Sequence, residues 1–272
     1  MIRNSEEGVI RVVQITDTHL FREPDANLLK LNTQDSFEKV LELIQSNESA
    51  IDVILATGDI AQDASVEAYM RFGKAMEDFD APFYWIPGNH DRRRVMQGVD
   101  LYKRAFDGSA HFANWQFIFL DSSVTGEVHG LLGKSELAHL AASLEASAKD
   151  PALEHCVVCL HHNPVPGSAG WMEGIGLQND KEFFALIDRY PHVRAVVYGH
   201  IHQELDFVRN DVRYFCTPST CIQFKPQVED FTLDNVNPAY RWFDLLPNGE
   251  IRSAIERVTG YEFEVDHSST GY

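Results

Sequence analysis

The sequence predicts an α/β fold in which two β-sheets pack together with helices outside, and three features predict it. Six apolar runs bounded by turn residues (9–16, 52–57, 83–87, 116–121, 156–161 and 193–199) have the length and composition of buried strands. Segments of helical periodicity lie between them. After His202 the texture changes to two hairpins, so a wound α/β beginning gives way to an antiparallel meander.

Taken in order, residues 33–46 place Phe37, Val40, Leu41 and Ile44 on one stripe of a helix, and 65–78, 134–148 and 180–189 behave likewise. Strand alternating with helix implies βαβ units with largely parallel pairing. Residues 204–208 and 212–216 then flank Arg209-Asn210-Asp211, and 239–245 and 250–258 flank Asn248-Gly249, each a hairpin pattern. No repeat, low-complexity tract or linker interrupts the chain. One domain over 1–272 is expected, with an α/β core over about 10–203 that the hairpins of about 204–265 complete. The polar ends, 1–8 and 266–272, are expected to fray.

Composition excludes several function classes. The 272 residues carry 23 Lys+Arg against 41 Asp+Glu, a formal net charge of −18. Such a surface repels nucleic-acid backbones and anionic lipid, so neither is an expected partner, and no obligate protein partner is evident. The N-terminus carries acids where a signal peptide needs positive charge, and no run approaches a membrane span. Four cysteines are too few for a disulfide scaffold. Cys156 and Cys159 fall in an apolar strand, where they face opposite sides, so buried thiols and a cytoplasmic setting are expected.

The 12 histidines are the unusual count, because many fall where a strand ends. Strand ends run into Asp17-Thr18-His19, Gly58-Asp59, Gly88-Asn89-His90-Asp91, His161-His162 and Gly199-His200-Ile201-His202. In an open α/β sheet, ligand sites assemble at the carboxyl ends of strands. In extended backbone, residues i and i+2 project to one side, so Asp17 with His19, and His200 with His202, are expected to converge. The glycines at 58, 88 and 199 allow sharp exits and close approach. Two carboxylates, one amide and four imidazoles suit Fe, Mn or Zn better than Ca or Mg. Seven ligands are too many for one ion but suit two ions sharing a bridge, with Asp59 the natural bridging carboxylate. Two divalent ions, two carboxylates and a bridging hydroxide would leave the site locally positive, about +1 on a formal count, so an acidic protein can still attract a phosphate.

In that order, these pieces resemble the five-part signature of the calcineurin-like metallophosphoesterases. QITDTHLF, LATGDIAQD, WIPGNHD, YGHIHQELD and TPSTCIQFKP, with a late FTLD, further resemble the bacterial class III 3′,5′-cyclic-AMP phosphodiesterases over nearly the whole chain. The resemblance implies a four-layer α/β/β/α sandwich of two mixed β-sheets with a dinuclear site at their shared edge. It implies that Asp17, His19 and His202 hold one metal and Asn89, His161 and His200 the other, with Asp59 between them. It implies Fe or Mn, while ligand chemistry equally admits Zn.

The implied reaction is hydrolysis of cyclic AMP to 5′-AMP by a hydroxide bridging the ions, with His90 protonating the departing O3′ and Asn89 steadying the equatorial oxygens. His19, Asp59, Asn89, His90 and His202 would face the substrate. The rival enzyme reading is another small phosphodiester, such as cyclic GMP or a 2′,3′-cyclic nucleotide, since metals alone discriminate poorly. A metal-free scaffold should lack ligands or the acid histidine, and all are present here.

Neighbouring residues admit blander readings. Asp91 is expected to cap the helix predicted to start in 95–106, or to support the ligands. His162 is expected behind the metals or against substrate rather than as a ligand. Arg92-Arg93-Arg94 reads as a solvated turn or as a phosphate-steering patch beside His90. The Gly/Pro-rich loop 163–179 reads as a lid, and Trp171 or Phe224 as a base-stacking ring or as rim packing.

Overall fold

The computed structural model describes residues 8–99 and 108–271. The chain begins with β1 (Ile10–Ile15), a short hairpin of β2 (Asn27–Leu28) and β3 (Leu31–Asn32), and α1 (Thr33–Asn47). Next come β4 (Val53–Ala56), α2 (Val66–Met76), β5 (Phe83–Trp85), α3 (Arg93–Val99), β6 (Ser109–Phe112) and β7 (Trp115–Phe119). Then follow α4 (Lys134–Ser147), β8 (His155–Cys159), α5 (Asp180–Ile187) and β9 (Val193–Tyr198). The last part holds β10 (Leu205–Arg209), β11 (Val212–Cys216), β12 (Gln223–Phe224), β13 (Leu233–Asp234), β14 (Ala239–Leu245) and β15 (Ile251–Arg257). None of the described helices is long and apolar enough to cross a membrane.

Two mixed sheets result. The first has the order β15-β14-β1-β4-β5, in which β1, β4 and β5 run parallel and β14 and β15 antiparallel. The second has the order β10-β11-β9-β8-β7-β6, parallel from β11 to β7 with an antiparallel strand at each edge. The two hairpins thus part company: β10–β11 extends the second sheet, and β14–β15 extends the first. Asn210 and Asp211 both take positive φ (49° and 63°), the conformation of a tight hairpin turn matched to strand twist.

Alternation along the strands builds three apolar layers. In β1, Ile10 and Val12 point between the sheets, where they meet Phe117, Val157, Val197 and Phe243. Val13 and Ile15 point the other way, onto Phe37, Val40 and Ile44 of α1 and Phe72 of α2. On the second sheet, Val158 and Val196 face Leu140 and Leu144 of α4 and Phe183 of α5. Helices therefore cover both outer faces, which gives the α/β/β/α sandwich. Cys156 packs on the helix side and Cys159 between the sheets, and all four cysteines are buried and free.

Strand β6 escaped the sequence reading because four residues ending in exposed or half-buried positions carry little apolar signal. Helix α3 starts at Arg93, and the rest of the helix expected over 95–106 lies outside the described residues, as do residues 1–7 of the N-terminal end.

Candidate metal centre

The parallel strands of both sheets end at the same side, and the loops that follow them meet there. Parallel pairing of β1 with β4 continues past the strand ends: Asp17 N–H donates to Gly58 O (3.0 Å) and His19 N–H to Asp59 O (2.9 Å). The two carboxylates are thereby held in register by backbone. Asp17, His19, His161 and His202 are fully buried or nearly so, as are Asp59 and His200; Asn89 and His90 are half-buried.

One expectation needs correction. Asp17 with His19, and His200 with His202, do converge, but not as alternate residues of extended strand. The strands stop at Ile15 and Tyr198, and all four residues adopt left-handed backbone, with φ of 55°, 46°, 71° and 45°. Asp59 does so too, at 49°. Left-handed backbone is uncommon outside glycine and costs on the order of 1 kcal/mol or more per residue, so five such residues at one spot mark a site held by its surroundings.

Glycine is needed on either side of it. A Cβ at Gly88 would overlap the Asp59 carboxylate, and one at Gly199 would overlap Thr16 and the Asp17 carboxylate.

Each carboxylate is tied by one edge and presents the other to imidazoles. Asp59 Oδ1 accepts the His90 N–H (2.8 Å), while Oδ2 lies 3.3 Å from His161 Nε2 and 3.8 Å from His19 Nε2. Asp17 Oδ2 accepts the Thr16 hydroxyl (2.7 Å), and Oδ1 lies 3.3 Å from His202 Nε2 and 3.9 Å from His161 Nε2. Asn89 Oδ1 approaches His161 Nε2 at 3.3 Å. Ligand atoms of Asp17, Asp59 and His161 lie within 4.8 Å of one another, and so do those of His19, Asp59 and His90.

The four imidazoles nearest the carboxylates share a second feature. In each, one ring nitrogen is engaged by an acceptor outside the cluster: His19 Nδ1 by Gln62 Oε1 (2.6 Å), His161 Nδ1 by Thr57 O (2.8 Å), His202 Nδ1 by Ile222 O (2.8 Å) and His200 Nε2 by Ile175 O (3.0 Å). Such a bond fixes the tautomer and assigns lone-pair donation to the other nitrogen, as in histidines that hold metals. His162 differs. Its Nδ1 meets Ser122 Oγ (2.8 Å) and its Nε2 meets Val128 O (3.1 Å), so both nitrogens are spent and the ring packs 4.6 Å from that of His200.

The electrostatics call for positive charge at this point. Burial would raise the Asp17 and Asp59 carboxyls, but His202 beside the one and His161 and His90 beside the other hold both below the usual range, Asp59 well below. Burial lowers His19 and His200 to about 3, keeping them neutral. His161 overcomes burial, raised to about 9 by Asp59 and Asp17. Two buried anions beside the neutral rings of His19 and His200, with the positive charge drawn onto His161, form clusters that could hold two divalent ions.

Asp91 does not cap α3. Its Oδ2 accepts the N–H groups of Gly88 (2.9 Å) and Ile60 (3.1 Å), and its Oδ1 accepts Ala61 N–H (3.0 Å) and the Tyr69 hydroxyl (2.9 Å). It clasps the Asp59 loop to the Asn89-His90 loop. Burial first, then the nearby Asp59, push its carboxyl up to about 6. Arg92 is exposed and bonds the Asp91 carbonyl, and Arg93 pairs with Asp121 (2.9 Å) and Glu136 (3.5 Å) across the gap to the second sheet.

The reading of the sequence missed the supports. Gln62 and the carbonyls of Ile175 and Ile222 carry no recognisable signal. Residues 217–222 brace the carbonyl of Asp17, which accepts the Ser219 hydroxyl (2.8 Å) and the Cys221 thiol (3.3 Å). The signal there was the TPSTC stretch itself, in which small hydroxyl and thiol groups follow a strand closely.

Above the cluster opens a cavity of about 640 Å³. Asp59, Asn89, His90 and His200 contribute to its lining on one side and Trp171, Ile175, Phe224 and Phe231 on another, with Thr270 and Gly271 also present. Trp171 packs edge-on against Phe224 (5.0 Å) and Phe231 (5.1 Å), and Phe224 stacks on His202 at 4.3 Å.

Comparison with known proteins finds relatives over nearly the whole chain. A protein from Pseudomonas aeruginosa named 3′,5′-cyclic adenosine monophosphate phosphodiesterase CpdA is 41% identical over 98% of this chain and 96% of its own length. The protein of the same name from Escherichia coli K12 is 39% identical over the same shares. Among solved structures, a dimetal phosphatase from Danio rerio shares the fold with a TM-score of 0.61 at 16% identity, over 92% of this chain and 99% of that one. The family model for calcineurin-like phosphoesterases matches residues 10–204, which contain every strand-end motif of the cluster. With most of its length matched, and with relatives of that identity over nearly all of it, the chain belongs to the calcineurin-like phosphoesterase family.

Proposed function

We propose that this chain is a metal-dependent hydrolase of the cytoplasm that converts 3′,5′-cyclic AMP to 5′-AMP, the activity named for its relatives. One observation carries the reading: Asp59 belongs to two clusters of possible ligands at once, beside a cavity with an aromatic wall large enough for a nucleotide. Asp17, His19 and His202 would hold one ion and Asn89, His161 and His200 the other, with Asp59 placed to serve both. The family resemblance favours iron or manganese, and the donor set admits zinc equally. When bound, the ions supply Lewis acidity toward the phosphoryl oxygens and toward water.

The chain's own groups do the rest. Asn89 turns its carbonyl oxygen to the His161 side, which leaves its amide NH₂ to donate to an equatorial phosphoryl oxygen. His90 has its backbone N–H on Asp59 and its ring edge-on to His19 at 4.9 Å, at the lining of the cavity. From there its imidazolium gives a proton to O3′ as the P–O3′ bond breaks and a new P–O bond forms from water. Trp171 and Phe224 offer faces and edges for the base.

The test is a side-by-side kcat/KM comparison of cyclic AMP, cyclic GMP and 2′,3′-cyclic AMP on metal-loaded protein. Cyclic AMP should be the best substrate by at least about tenfold, a discrimination worth ~1.4 kcal/mol. A 2′,3′-cyclic nucleotide turning over faster would replace this reading with that of a different small diesterase.

A further inference from the structure

Building on that reading of the site, we infer that the cavity sorts its ligands by charge number: Asp230 and Glu127 at its mouth favour a singly charged phosphodiester over a doubly charged phosphomonoester, and so hasten departure of the product. Among the described residues the lining holds no lysine or arginine, and its ionisable members are Asp59, Glu127, Asp230, His90 and His200. Asp59 and His200 are buried at its floor, whereas Glu127 and Asp230 are exposed, on two different loops. Glu127 has His129 for company at 3.8 Å, and Asp230 stands next to Phe231 of the aromatic wall. Positive charge in this site therefore belongs to the floor, and the mouth is negative.

The reaction changes the quantity that such a mouth senses. A cyclic diester carries one negative charge. Water adds to phosphorus, the P–O3′ bond breaks, O3′ takes a proton, and the 5′-monoester loses its remaining acidic proton to solvent, because the second ionisation of a phosphate monoester has a pKa of about 6. The product thus carries one charge more than the substrate. A carboxylate on the order of 8 Å from that charge, in a site open to water, weakens dianion binding roughly two- to sixfold relative to the monoanion. Two such carboxylates together give roughly four- to thirty-sixfold. The preference for diesters would then reside in protein charges at the entrance as well as in the metals.

The experiment compares metal-loaded wild type with the double variant Asp230→Asn/Glu127→Gln, both near-isosteric changes at exposed positions. Inhibition constants are measured for 5′-AMP and for uncharged adenosine, at low salt and near 0.5 M salt, where the screening length falls to about 4 Å. In the double variant 5′-AMP inhibition should tighten about four- to thirty-sixfold, adenosine should stay within about twofold, and the gain should shrink at high salt. An unchanged constant for 5′-AMP overturns it. So does an equal shift for adenosine, which would assign the two residues to the base instead. If the wild type leaves cyclic AMP intact, the proposed substrate fails. The charge inference is then still decided by the ratio of kcat/KM for bis(p-nitrophenyl) phosphate to that for p-nitrophenyl phosphate, which should fall by a similar factor in the variant.

Discussion

His90 and Gln62 illustrate how differently two side chains at one site should behave. His90 lines the cavity beside Asp59 and is the proposed proton donor. Its replacement by Ala should lower kcat for cyclic AMP by about 10²–10⁴ while the metal content of the protein is unchanged. The loss should be much smaller for bis(p-nitrophenyl) phosphate, whose leaving group departs without protonation; equal losses on both substrates would remove His90 from the acid role. Gln62 touches no substrate. It holds the His19 ring through a 2.6 Å bond to Nδ1, so Gln62→Ala should act on metal retention, weakening affinity by roughly 10–100-fold. Competition with a chelator measures this directly, and unaltered metal affinity would show the bond to be incidental.

The loops after the strands show what periodicity conveys and where it stops. The five strand-end motifs were legible because buried strands read as apolar runs, and polar ligands stand out at their ends. The α1 stripe of Phe37, Val40, Leu41 and Ile44 was legible for the same reason, and all four are buried. The left-handed backbone of Asp17, His19, Asp59, His200 and His202 was not legible. It is imposed by partners distant in sequence, such as Ser219 on the Asp17 carbonyl and Asp91 on the N–H groups of Ile60 and Ala61. Local sequence pattern carries no trace of bonds that span about 30 or 200 residues.

The Asp91 clasp gives a prediction at this scale. Asp91→Ala strands three buried N–H groups and a tyrosine hydroxyl, which should cost on the order of 3 kcal/mol of stability. Denaturant unfolding would show it as a lowered midpoint, and an unshifted midpoint would deny the clasp its part in holding the two loops.

At the scale of the whole molecule, the site is also a seam. Asp17, Asp59 and Asn89 follow strands of the first sheet, whereas His161, His200 and His202 follow strands of the second. Ions shared among them would tie the sheets together at one edge, adding to the apolar layer of Phe117, Val157, Val197 and Phe243 between them. A ligand at about 1,000 times its dissociation constant stabilises by about 4 kcal/mol, so metal removal should lower Tm by several degrees. The same charges would reconcile the −18 of the whole chain with a phosphate substrate, since bound ions would set the field at the floor of the cavity.

Dependence of turnover on two ions is decided by one titration. Turnover of cyclic AMP is followed, with ions per chain counted, as metal-stripped protein is titrated separately with Mn, Fe and Zn. The account predicts no turnover in the stripped protein, recovery that saturates near two ions per chain with 5′-AMP as product, and no recovery in Asp59→Asn. Full turnover without metal, or saturation at a single ion, would contradict it.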